Sequence, residues 1–346
     1  MQKCFDISKD TKIFILAPVG VVTGGVELLH QLCDVLNKNG KNAFIFYVGA
    51  EKQEIPLEYQ KYNIQLIDHI EDDEKNIFVL SEIYIRELYR IKKSQVLIWW
   101  LSVDNYFYHF QGSLIDDFKF KSIFGFKRFG RENLNRLLLK KQPKKYSLRK
   151  LSKNKNVRCN AFQSAYAEYF LKRNGITNTV RLSDYLNDDY IFNSEIVALK
   201  DNIIIYNPKK GLKFTKKLIS KSSDLKWIPI ENMTRQQVKE TMLRAKLYVD
   251  FGYHPGKDRM PREAAMCGCC IITGKQGAAG FSDDLSIDET KYKFNQSEKD
   301  IPTIIEKIRE VLKNYDNEIQ NYSSYRKRIS EEKLQFENDA LKLFEV

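Results

Sequence analysis

The chain has no stretch approaching the ~18 consecutive apolar residues of a membrane-spanning helix. Its first residues, MQKCFDISKDTKIFIL, lack the apolar core and the small-residue cleavage site of a secretion signal, so a cytoplasmic protein is expected. Six cysteines fit that compartment as reduced, partly buried thiols: Cys4, Cys33, Cys159, Cys267, Cys269 and Cys270. The run CGCC has no second Cys/His pair at ligand spacing, so no metal is expected and the run reads as small residues between a helix and a buried strand. There is no repeat of 20–50 residues and no G-x-G-x-x-G fingerprint.

What is present is enough for packed cores. The 346 residues are 43% hydrophobic and 12% aromatic, a length that points to two domains. The net charge of +12 is concentrated in one place: from Phe118 to Arg158 fifteen Lys/Arg face a single acid, Glu132. Phenylalanines at 118, 120, 124, 126 and 129 interleave with the cations of this segment. Such a mixture suits an anionic membrane surface, with charge attracted to headgroups and rings entering their boundary. An acidic glycan or a solvated insertion also fits, whereas no motif supports nucleic acid.

Strand-like and helix-like stretches alternate along the chain. KIFILAPV reads as a buried strand, followed by a helix over 24–40 with apolar residues at Val26, Leu29, Leu32 and Leu36 and a stop at Gly40. Strands are expected at 43–48, 63–67, 77–80 and 95–101, and a helix near 82–92. After the basic segment come VRCNAF, SAYAEYFLKRNG and NTVRL, as strand, helix and strand. The pattern restarts with NIIIYN and continues through KLYVDF, a short helix at MPREAAMCG, CCIITG and a helix over 299–315. A long polar helix over 317–344 closes the chain. Two such halves predict an α/β protein with two Rossmann-like, doubly wound parallel sheets, in which ligands meet the C-terminal ends of strands.

Three loops at such strand ends carry candidate chemistry. APVGVVTGGVELL places Gly24 and Gly25 at a helix start, where free N–H groups favour an anion; a plain tight turn reads equally well. Glu27 lies close to that turn as a ligand candidate, and His30 reads as a packed histidine. YNPKKGLKF sets Lys209 and Lys210 beside another helix start, as a phosphate clamp or as part of a solvated basic face. In FGYHPGKDRMPREAAMCG, His254, Gly256, Lys257, Asp258 and Arg259 precede a helix led by Pro261, with Glu263 in its first turn. A carboxylate among cations suits a ligand that carries both hydroxyls and a diphosphate. LIWWLSVDNYFYHF supplies Asp104, Asn105, Tyr106 and His109 at the end of another strand.

In the same order, these stretches resemble the retaining Glu-x7-Glu family of nucleotide-sugar glycosyltransferases, whose fold (GT-B) sets two Rossmann-like domains across a cleft. REAAMCGCCIITG resembles that family's EAMACGTPVI stretch, YNPKKGL its Lys-Gly helix start, and TGGVELLHQLCDVLNKNG its Gly-Gly loop and helix. FQSAYAEYFLKRNGITNTVRLSDYLNDDYI resembles its domain junction. The resemblance implies an acceptor domain over 1–190, a nucleotide-sugar domain over 191–320, and a C-terminal helix over 321–346 packing back on the first domain. It implies that Glu263 binds the ribose and Lys210 the diphosphate, with Lys209 a neighbour; charge and placement add Lys257 and Arg259. The first glutamate of the family pair falls at Pro255, and no Arg precedes the Lys-Gly pair. Sugar contacts then fall to His254, Asp258 or the amide of Gly256.

On the acceptor side the reading assigns Glu27, Asn105 and Tyr106 to binding, with Asp104 and His109 as catalytic groups. The implied activity is sugar transfer, with retention favoured, to a surface glycan such as capsule, O-antigen or lipooligosaccharide. The co-substrate is a nucleotide-sugar, with no other cofactor and no metal, and the enzyme would lie peripherally on the inner face of the cytoplasmic membrane. The rivals are a catalytically silent polyanion- or glycan-binding protein, and an epimerase or other group transferase on the same scaffold.

Overall fold

In the computed structural model the described residues are 3–108, 146–191 and 200–345. The chain divides into two compact units. The first comprises Met1–Gln163, Ala167–Ser183 and Phe336–Val346, and the second Ser164–Tyr166 and Asp184–Gln335. Each is built on one parallel sheet, as the alternating pattern predicts.

The first sheet holds β1 (Lys12–Pro18), β2 (Asn42–Val48), β3 (Ile77–Ser81), β4 (Gln95–Trp100), β5 (Val157–Phe162) and β6 (Thr179–Arg181), in the order β2-β1-β3-β4-β5-β6. Its inner strands β3 and β4 are buried at every position, as strands covered on both faces must be. The helix after β1, α1 (Gly24–Lys38), begins where the Thr23 hydroxyl accepts the Val26 amide, and it buries Val26, Leu29, Leu32 and Leu36. A further short helix, α2 (Val103–Tyr108), follows β4. Trp99 is fully buried; its indole donates to the Leu182 carbonyl at 2.9 Å, and its ring lies on Phe336 with centroids 6.2 Å apart.

Two elements of this unit differ from the sequence reading. The expected strand over 63–67 is only a single bridge, Leu66 to Ile45. Side chains take the backbone groups that a ladder would need: Asp34 accepts the Asn63 amide, and Asn37 donates to the Asn63 carbonyl. The expected helix near 82–92 is a 3-10 helix, Glu82–Tyr89, whose buried Ile85 and Leu88 recur every three residues.

The second sheet holds β7 (Asp201–Tyr206), β8 (Lys226–Pro229), β9 (Ala245–Asp250), β10 (Cys270–Gly274) and β11 (Lys293–Phe294), in the order β11-β10-β9-β7-β8. Around it pack α3 (Leu212–Ser220), α4 (Arg235–Arg244), α5 (Arg259–Met266) and α6 (Ile301–Lys313). The last helix, α7 (Ser323–Leu343), contributes turns to both units. The CGCC run is the tight passage from α5 into β10. Cys267, Cys269 and Cys270 are fully buried, burial pushes the Cys269 thiol up to about 11, and its Sγ donates to the Met242 and Ala245 carbonyls. Lys200 donates to the Met242 and Cys267 carbonyls, a cation on the C-terminal ends of α4 and α5.

The order of each sheet reverses between its first and third strands, β1 and β3 in one unit, β7 and β9 in the other. That switch point at the carboxyl ends is where open parallel sheets take ligands. Trp99→Phe leaves the buried Leu182 carbonyl without its donor; urea unfolding should show a loss of about 1–3 kcal/mol.

Candidate functional site

In the second unit the switch point brings together the loops after β7 and β9. After β7, the Asn207 side chain accepts the Lys209 amide at 3.0 Å, turning the chain toward Gly211 at the start of α3. Gly211 has φ 62°, and a Cβ there would overlap the Phe251 carbonyl. Across from it, a Cβ on Gly252 would overlap the Lys210 side chain and lie 2.7 Å from Asp250 Oδ1. The two backbones therefore approach closely only because both positions are glycine. Lys209 is exposed; Lys210 is half-buried and its Nζ pairs with Asp258 Oδ2.

The β9 loop is fixed by its own polar groups. Asp250 is buried, with Oδ1 accepting the Gly252 amide at 2.7 Å and Oδ2 accepting the Tyr248 hydroxyl at 2.8 Å. His254 is equally buried; its backbone bonds to the Gln276 carbonyl and the Ala278 amide, and its ring stands between two acids. Nε2 is 3.5 Å from Asp250 Oδ2 and Nδ1 is 3.8 Å from Asp258 Oδ2. Burial alone would push His254 down, but the carboxylates of Asp258 and Asp250 outweigh it and hold the imidazole above its usual value. Burial likewise opposes the charge on Asp250, yet His254, Tyr248 and the Gly252 amide hold it below the usual carboxylate range.

Of the cations grouped here, Arg262 and Lys257 are buried. Arg262 has no exposure and donates to Asp184 Oδ2 at 2.6 Å and Glu332 Oε2 at 2.7 Å. Lys257, 7% exposed, lies 2.6 Å from Glu332 Oε1 and 3.7 Å from Asp184 Oδ1. Arg262 also donates to the Lys257 and Asp258 carbonyls, so one guanidinium ties the loop, α5 and α7 together. Lys257 is thus held in an internal ionic cluster, where it is poorly placed to clamp a diphosphate. Arg259 is half-buried, Gly256 is buried, and Asp258 is the residue before the helix.

That helix begins at Arg259, two residues earlier than a start at Pro261, and Glu263 therefore stands beyond its first turn. The proline needs no leading place, because the amide at the third helical position has no partner inside the helix in any case. Glu263 is half-buried on α5. Dipole capping does not account for a carboxylate at that depth.

In the first unit the candidates are more dispersed. Gly24 and Gly25 open α1, and a Cβ on Gly25 would meet only Leu101 at an ordinary 3.7 Å, so nothing in the packing demands glycine there. Glu27 is 3% exposed; it accepts from the Tyr62 hydroxyl at 2.9 Å and lies 3.4 Å from Lys61. Asp104 is fully buried in the first turn of α2. Asn105 donates to Glu82 at 3.2 Å. Tyr106 is a core residue that packs on Trp100 and donates to the Tyr146 carbonyl at 2.9 Å. His109 and residues 118–145 of the basic segment lie outside the described residues.

Several groups escaped the sequence reading. Asp250 closes an apolar strand, the one local signal that could have found it. Asp184 and Glu332 lie 78 and 70 residues from Arg262. Glu82, directly after β3, accepts the Leu101 amide at 2.9 Å and is pushed up to about 7 by burial. As a set able to hold a metal ion, the described residues offer Asp250, His254 and Asp258.

No protein-family model matches the chain, and no curated protein does. Solved structures do. A sucrose-phosphate synthase from Thermosynechococcus elongatus aligns with a TM-score of 0.65 at 12% identity, over 96% of this chain and 99% of that one. WaaG, a glycosyltransferase involved in lipopolysaccharide biosynthesis, aligns at 0.56 and 11%, over 94% and 98%. T4 phage BGT, solved with its UDP-glucose substrate, aligns at 0.51 and 11%, over 97% and 100%. The likeness establishes the fold, two parallel-sheet α/β domains of the GT-B type.

Arg262→Met removes the guanidinium that both Asp184 and Glu332 accept from; urea unfolding should show a loss of about 3–5 kcal/mol. Glu82 binds its proton more tightly folded than unfolded, so its contribution is fully present below the ordinary glutamate value and is lost as pH rises through about 7. Glu82→Gln should therefore flatten the stability–pH curve between about pH 4.5 and 7 and raise stability above it.

Proposed function

We propose that the protein is a glycosyltransferase that moves a sugar from a nucleotide-sugar to a hydroxyl of a glycan acceptor. The observation that carries this reading is the close approach of the β7 and β9 loops, which sets Lys210 and the start of α3 beside Asp258, with Glu263 on the helix that follows. In a GT-B chain this is the chemistry a nucleoside diphosphate requires. The ammonium of Lys210 and the free amides of α3 offset phosphate charge, and the Glu263 carboxylate accepts from ribose hydroxyls. Lys209 adds charge at the rim, and Arg259 adds it at the first position of α5. Of the candidates for holding sugar hydroxyls, His254 and Gly256 are buried, which leaves Asp258, half-buried beside Lys210. The structural neighbours support such a donor: T4 phage BGT was solved with UDP-glucose and TarM with UDP.

In the reaction, the bond from the anomeric carbon to the diphosphate oxygen breaks and the acceptor oxygen bonds to that carbon. The electron pair leaves with the diphosphate, whose charge Lys210 and the α3 amides stabilise. Asp104 has no exposure, and Glu27 is held by Tyr62 and Lys61, so neither is well placed to take the acceptor's proton. The departing diphosphate takes it instead, the route compatible with retention.

The acceptor is a bacterial surface glycan, as the lipopolysaccharide role of WaaG suggests by analogy of fold. Among the described residues no helix is long and apolar enough to cross a membrane. We assign contact with the inner face of the cytoplasmic membrane to the basic segment 118–158, whose described end carries Arg149, Lys150, Lys153, Lys155 and Arg158 without an acid.

Calorimetric titration with UDP-, GDP-, CMP- and ADP-sugars should find one class that binds, and Glu263→Ala should weaken that class about tenfold or more. A chain that binds none of them, or a Glu263→Ala variant of unchanged affinity, contradicts the assignment.

A further inference from the structure

Asp250, His254 and Asp258 are spaced four residues apart, yet no helix joins them. Asp250 ends β9, the loop folds back, and Asp258 is the residue before α5. The turn brings one carboxylate oxygen from each acid and an imidazole nitrogen within 4.8 Å of one another. The histidine is 2% exposed, and its Nε2 makes no formed hydrogen bond although it is aimed at Asp250. A buried, unsatisfied ring nitrogen beside two carboxylates is costly unless a cation or a proton fills the group.

We propose that these three side chains bind a divalent first-row cation of the manganese or zinc kind. Two carboxylates and an imidazole supply the oxygen and nitrogen donors such ions take. The ligands are already oriented from behind. The Tyr248 hydroxyl and Gly252 amide hold Asp250, and the Gln276 carbonyl and Ala278 amide hold the His254 backbone. Charge sets the terms of exchange. The ammonium of Lys210 pairs with Asp258 and balances one of the two carboxylates. A dication balances both carboxylates at once and frees Lys210 from Asp258. Lys210 is thus the cation's competitor, which an ordinary structural ion pair would not be.

The inference does not depend on the nucleotide-sugar reading, because the site is complete without a nucleotide. Its test is Mn2+ binding to the full-length protein at neutral pH, read from the loss of the free-ion signal in electron paramagnetic resonance. Wild type should bind one Mn2+, and Lys210→Met, a change at a partly exposed side chain, should bind it about threefold more tightly or better. Asp250→Asn and His254→Gln should weaken it at least about tenfold. Absence of Mn2+ binding by both wild type and Lys210→Met overturns the site. So does Mn2+ binding that survives in folded His254→Gln. Should the buried variants not fold, the Lys210→Met comparison decides alone. Nucleotide-sugar binding without Mn2+ binding removes the metal site and leaves the proposed function standing.

Discussion

A guanidinium with no access to water fixes the loop after β9 in the second unit. Arg262 spends its donors on Asp184, Glu332 and two carbonyls of the loop before its own helix. Burying that charge is costly, and the cost is offset only while both carboxylates stay in place. The loop after β9, the start of α5 and the midpoint of α7 are therefore set together. Lys257 shares the same acids, which draws it inward and leaves Lys210 as the half-buried ammonium at the strand ends.

Around that anchor the site is built by close approach. Glycine at 211 and 252 lets the β7 and β9 loops meet, so that Lys210 reaches Asp258, and Asp250 and His254 line the same turn. Charge is almost balanced there: two acids against a lysine and a histidine that the acids hold above its usual value. Such a group answers readily to an arriving anion or cation, because either one redistributes partners already in contact. The first unit presents a contrast. Its candidate acids, Glu27 and Asp104, are buried, and Glu82 is pushed up to about 7.

Much of the architecture was legible in the sequence, because buried parallel strands are apolar runs and the helices between them carry their own stops. KIFILAPV, NIIIYN and KLYVDF each became central strands. Where side chains compete for the backbone the pattern misled: 63–67 looks extended but gives its polar groups to Asp34 and Asn37. The three-residue spacing of Ile85 and Leu88 produced a 3-10 helix where an α-helix was expected. At the site, the local motif pointed to Lys210, His254 and Asp258. It could not show which cations of HPGKDRMPR face inward, since that is decided by Asp184 and Glu332, far away in the chain. Asp250 was equally hidden, because a lone acid at a strand end reads as a turn residue until its histidine partner is placed.

The central claim is that a nucleoside diphosphate is held at the carboxyl ends of β7 and β9. A crystal structure of the protein with UDP, or with whichever nucleotide binds, tests it most directly. The account predicts the diphosphate on Lys210 and the first amides of α3, with the ribose hydroxyls on Glu263. A nucleotide bound elsewhere, with Lys210 still on Asp258 and Glu263 facing no ligand, would contradict it.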